Sequence, residues 1–130
     1  MKRSIIFFTV FLLLGSGSYA HAAKPEPLDG KTFIGQVGSK GKPGDPDNFI
    51  FKNGHFDSEA CHQYGYGDAP YTAKNDGKKM SFESTTTNTG GDKIMWKGNV
   101  MGNAIEGTAV RMSSKGETLD DMWFKGSVKK

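Results

Sequence analysis

Cysteine is almost missing from this chain: Cys61 stands alone among 130 residues. A single thiol excludes an internal disulfide, so the fold must hold without staples. Arginine is equally scarce beyond the first residues, with Arg111 the only one after Arg3. Long hydrophobic runs are absent apart from Ile5 to Leu14. That stretch is too short to span a bilayer, which takes about 20 apolar residues as a helix. No segment after it shows a sustained helical period, which argues against a helical domain. Excess charge of one sign is lacking too. The 17 Lys plus Arg face 14 Asp plus Glu, and without Lys2 and Arg3 the balance is 15 to 14. Interspersed, nearly neutral charge argues against nucleic acid or an anionic membrane as the main partner.

The N-terminus has a different character. Lys2 and Arg3 precede the apolar run, Gly15-Ser16-Gly17-Ser18 breaks it, and Ala20-His21-Ala22 offers a small-x-small cleavage site. This pattern reads as a secretory signal peptide over residues 1–22, followed by one domain over 23–130. Cys61 lies far from the cleavage point, so no N-terminal lipid anchor is available. The expected product is periplasmic or secreted.

What fills residues 23–130 is a series of short alternating runs separated by Gly, Asn, Asp and Pro. Asn53-Gly54, Asp76-Gly77 and Gly102-Asn103 suit two-residue hairpin turns. They would set Phe51 opposite Phe56, Tyr71 opposite Phe82 and Trp96 opposite Ala109. Each turn places apolar residues on one face and charged neighbours on the other, as a correct register requires. Eight strands follow: Lys31–Val37, Asn48–Lys52, His55–His62, Tyr71–Asn75, Lys78–Thr86, Lys93–Met101, Ala104–Met112 and Met122–Val128. Closing them into an all-β, eight-stranded antiparallel up-and-down (meander) barrel removes both exposed edges. A β-sandwich is the alternative.

A phrase recurs along these strands. Phe33-Ile-Gly35-Gln-Val37, Trp96-Lys-Gly98-Asn-Val100 and Phe124-Lys-Gly126-Ser-Val128 share one pattern, with Ile105-Glu-Gly107-Thr-Ala109 a fainter copy. Glycine weakens strands, so its repetition at one phase needs a cause. A narrow barrel supplies it, because sharply bent strands leave no room for a bulky residue at every inward position. The four glycines are expected to face inward, with Phe33, Trp96 and Phe124 lying across them.

In a meander the three tight turns share one end, and all the longer connections meet at the other. Long loops on a rigid scaffold commonly carry function. Arg111 points inward by alternation near that mouth, opposite Ile94. It could hold a carboxylate or phosphate while an apolar tail descends onto Trp96 and Phe124, or it could snorkel to the rim. The candidate ligand-binding set is Arg111, Tyr71, Trp96, Phe49, Ile94, Met122, Tyr64, Tyr66 and His62. Strict alternation turns His62 inward and Cys61 outward; a β-bulge near Glu59-Ala60 would invert both, and a buried thiol favours the bulge.

Other chemistry finds little footing. His55 and His62 fall at opposite ends of one expected strand and cannot share an ion. The outward methionines 95, 101 and 112 are scattered, and Asp45-Pro-Asp47-Asn48 lacks the glycine and terminal glutamate of a calcium loop. No metal or other cofactor is expected. No Ser-His-Asp, Cys-His or paired-carboxylate arrangement is defined by spacing, so an enzyme is not expected.

The opening Leu28-Asp-Gly30-Lys-Thr-Phe33-x-Gly35, with Trp96-x-Gly98-x-Val100-x-Gly102-x-x-Ile105-x-Gly107 and Phe124-x-Gly126, resembles the small calycin barrels: lipocalins, fatty-acid-binding proteins and avidins. The run Phe56-x-Ser58-x-x-Cys61-x-x-Tyr64-Gly65, then Ala69-Pro70-Tyr71, is similar to a bacterial family of small exported proteins of unassigned function. The calycin likeness implies a small, largely apolar ligand inside the barrel. The Gly-x-Trp signature of lipocalins, their last-strand arginine and the biotin-binding set of avidins have no counterparts, so no site residue transfers from them. The alternatives are a protein-interaction module with a filled barrel, such as an exported inhibitor, or a structural cell-envelope protein. A mouth cavity below roughly 150 Å³ would favour the filled barrel, because ligand pockets start near about 300 Å³.

Overall fold

Along Lys93–Met101 burial alternates as the sequence pattern demands. Ile94, Trp96, Gly98 and Val100 are buried, while Lys93, Met95, Lys97 and Met101 are exposed. Repeated round the sheet, that period of two gives every strand a wet and a dry face. The computed structural model describes residues 26–130; the signal peptide expected over 1–22 lies outside them. The strands are β1 (Thr32–Ser39), β2 (Asp45–Lys52), β3 (His55–Ser58), β4 (Ala69–Asp76), β5 (Lys79–Thr87), β6 (Lys93–Met101), β7 (Ala104–Met112) and β8 (Thr118–Val128). They form one closed barrel in chain order, β8 pairing back onto β1. That closure excludes the sandwich. Among the described residues no helix is long and apolar enough to cross a membrane.

Two hairpin registers fall as expected, with Phe51 opposite Phe56 and Trp96 opposite Ala109. The third differs. Asp76 pairs with Lys79, so the turn is Gly77-Lys78, and Tyr71 faces Ser84 rather than Phe82. A shift of two positions preserves the inward face, which is why the alternation pattern could not detect it.

The recurring glycines do occupy the crowded side of the sheet, but for two different reasons. A Cβ on Gly98 would stand 2.7 Å from the Phe124 ring and 3.0 Å from Phe82. One on Gly107 would meet the same Phe124 ring at 2.7 Å and the Lys97 carbonyl oxygen at 2.3 Å. Gly35 and Gly126 pair across the closing seam, where a Cβ on Gly35 would lie 1.9 Å from the Lys125 carbonyl oxygen. The rings over the glycines are therefore Phe124 and Phe82, not Phe33 and Trp96, and the seam pair serves close backbone approach.

The lower barrel is packed with rings. Phe56 lies 5.2 Å from Phe51, 5.4 Å from Phe82 and 5.1 Å from Trp96 between centroids. Phe124 lies 5.3 Å from both Phe49 and Trp96. Such aromatic pairs add roughly 0.5–1.5 kcal/mol each beyond their burial. Below them the segment 26–31 crosses the hairpin end as a strap. Leu28 is buried there, the Gly30 amide donates to the Phe51 carbonyl, and the Phe51 amide donates to the Lys31 carbonyl. The Asp29 carboxylate accepts from the Gly54 amide at 3.0 Å and from the Tyr71 hydroxyl at 2.9 Å.

Candidate functional site

The four longer connections, residues 40–44, 59–68, 88–92 and 113–117, all lie at the end opposite the strap. The decisive one follows β3. That strand stops at Ser58, and the chain coils into a 3-10 turn over Glu59–Tyr64 instead of extending to His62. The Asp47 carboxylate explains the change. One of its oxygens accepts from the Ala60 amide at 2.8 Å, satisfying a donor at the start of the turn, and the other accepts from the Ser58 hydroxyl. Asp47 is itself buried, and burial raises its carboxyl above the usual range. Gly65, at φ +88°, ends the turn, its amide bonded to the His62 carbonyl. The reversal drops Tyr66 into the barrel, where it is 6 % exposed. Residues 59–68 thus stand where β3 and β4 would otherwise have continued pairing, which they do only at His55–Pro70 and Phe56–Ala69.

This turn settles the orientation of two side chains. Cys61 is partly buried against the core, its Sγ 3.3 Å from the Ser58 hydroxyl oxygen, and burial pushes its thiol up, away from nucleophilic character. His62 points to the outer surface, where Nε2 lies 2.8 Å from Asp57. The inversion is the one a bulge would have produced, but the device is the 3-10 turn, and His62 leaves the candidate set.

A cavity of about 700 Å³ opens at this end. Its wall runs from Ile94 on β6 through Arg111 on β7 and Met122 on β8 to Val37 and Ser39 on β1, and is completed by Cys61, Tyr64 and Tyr66. The structure therefore brings Arg111, Ile94, Met122, Tyr64 and Tyr66 together. Trp96 and Phe49 do not reach the cavity. They are buried beneath it, with the Trp96 indole donating to the Thr86 hydroxyl at 3.1 Å.

Tyr71 is at the wrong end altogether. Its amide bonds the Gly54 carbonyl beside a hairpin turn, and its hydroxyl accepts from the Leu28 amide while donating to Asp29. Burial foremost, then the bond to Asp29, raises its phenol far above the ordinary value. The physical reason is strand stagger. A ladder row entered at Ser39 runs through Met122, Ala109, Trp96 and Ser84 before reaching Tyr71. In a closed barrel such rows are inclined to the axis, so residues opposite one another are not level. A reading that ranks residues by distance from a loop treats the rows as level and misplaces Tyr71.

The polar groups of the cavity are incompletely matched. The Tyr66 hydroxyl is buried and has no hydrogen-bond partner among the described residues. Burial raises its phenol, nearby Asp92 adds to the shift, and Arg111 opposes it by its charge and as a close donor whose geometry falls short of a well-formed hydrogen bond. Among the described residues the ion pairs are His55–Asp68, His62–Asp57 and Lys97–Glu83, so Arg111 has none. Three carboxylates also line the cavity, on Asp45, Asp92 and Asp120. Sequence reasoning missed all three. All three had the same signal in the sequence, since extending β2, β6 and β8 upstream at period two from Phe49, Ile94 and Met122 turns Asp45, Asp92 and Asp120 inward. No group of three or more His, Cys, Asp or Glu side chains among the described residues could hold a metal ion.

No protein family, curated protein or solved structure matches this chain.

Proposed function

We propose that this is an exported, calycin-like barrel that binds a small amphipathic molecule at its long-loop mouth, rather than an enzyme. The observation that carries the reading is a cavity of about 700 Å³ whose wall brings Arg111, without an ion pair among the described residues, beside Tyr66 and an apolar surface. An acidic head, carboxylate or phosphate, would take a bidentate bond from Arg111. Ile94, Met122 and Val37 supply an apolar wall for the remainder. The cavity lies well above the size that would favour a filled interaction module and within the usual range for ligand pockets, which begin near about 300 Å³.

Native mass spectrometry of protein purified from its own host tests this reading. The expected result is a small co-purifying mass that Arg111→Met protein no longer carries. A bare polypeptide mass in repeated preparations, with no thermal shift across a panel of fatty acids, would count against it.

A further inference from the structure

Resting on that ligand-binding reading, we propose that the mouth is built for a zwitterion: a carboxylate at Arg111, an ammonium at Asp120, and an apolar remainder. Arg111 and Asp120 are direct partners across β7 and β8. Opposite charges at such positions are close enough to pair, with Cβ atoms about 4.5–5.5 Å apart. Here they do not come within 4.0 Å of each other. Asp120 is held toward the other side, accepting from the Ser39 hydroxyl of β1 at 2.7 Å. Arg111 lies in the cavity wall with Tyr66 instead. A register irregularity between Arg111 and Met112 accompanies the separation. Arg111, Asp120 and Tyr66 all line one cavity.

Charge balance narrows the ligand further. Arg111 is the only Lys or Arg on the cavity wall, against Asp45, Asp92 and Asp120. A simple anion would satisfy Arg111 while sitting among carboxylates, and a simple cation would meet Arg111. A molecule carrying both signs a few ångströms apart, as an α-amino acid does, complements Arg111 and Asp120 together. Ile94 and Met122 place apolar surface beside that pair.

A matched series with one tail isolates the head group: dodecanoate, dodecylammonium and α-aminododecanoate, titrated calorimetrically below their micellar range at neutral pH. The amino acid should bind about tenfold more tightly than either dodecanoate or dodecylammonium. Asp120→Asn should erase the advantage while leaving dodecanoate binding intact or improved. If that variant does not fold, the ranking on the native protein carries the test. Equal binding of dodecanoate and the amino acid would overturn the zwitterion and leave the ligand-binding reading standing. Binding by none of the three would overturn both.

Discussion

The two ends of this barrel are made from the same alternating strands and end in opposite states. At the hairpin end the Asp29 carboxylate is answered by Gly54 and Tyr71, and the Tyr71 hydroxyl by Leu28. At the loop end Arg111 has no ion pair among the described residues, and the buried Tyr66 hydroxyl has no well-formed hydrogen bond. Two buried tyrosines therefore play contrasting parts. The difference teaches that satisfaction, rather than burial, separates a structural polar group from one held ready for a ligand.

That contrast can be broken at its base first. Phe56→Ala, in the ring cluster of the closed half, should destabilise the protein by about 3–5 kcal/mol in urea unfolding. Met122→Ala at the mouth should cost about 1 kcal/mol, because its side chain already meets open space. Equal losses would mean that the mouth is as tightly packed as the core. Next comes the seam: Gly35→Ala drives a methyl into the Lys125 carbonyl, and an overpacking penalty of about 1–3 kcal/mol or more should appear as a lower urea midpoint.

The paired tyrosines sharpen the comparison. Tyr71→Phe removes a hydroxyl that both donates and accepts, and should cost about 1–3 kcal/mol. Tyr66→Phe removes one with no partner and should leave the unliganded protein unchanged or slightly more stable. A matching loss at Tyr66 would show that its hydroxyl is already satisfied.

The smallest effect concerns Asp47, whose carboxyl is raised in the native state by burial. The folded protein then holds a proton that the unfolded chain releases at the same pH, so ionised Asp47 opposes folding above its native pKa. That opposition is relieved as pH falls through the native value toward the unfolded one of about 3.9. Native protein should therefore gain stability relative to Asp47→Asn as pH falls through this window. A difference that is flat with pH would refute the assignment.

Much of the architecture was legible because it rests on period two. The inward set Phe33, Phe49, Trp96, Ile105 and Phe124, the closure of β8 onto β1 and the grouping of longer connections follow from alternation and turn chemistry. The β4–β5 turn was misread because Asp76-Gly77 and Gly77-Lys78 both offer a glycine, and they leave the same face inward. At the mouth, Arg111, Ile94 and Met122 were legible from alternation. Tyr71 and Phe49, expected level with the mouth, lie below it because stagger is set by the whole closed sheet and not by any one strand. His62 failed for a tertiary reason: Asp47, on a neighbouring strand, caps the turn that ends β3. Gly65 was the local clue, a residue suited to ending a helical turn in the left-handed region.

A crystal structure of the barrel purified from its native source puts the central claim to its most direct test. The account predicts non-solvent density in the mouth, within hydrogen-bond distance of the Arg111 guanidinium. An Arg111 closed onto Asp120 over a cavity holding only ordered water would contradict it.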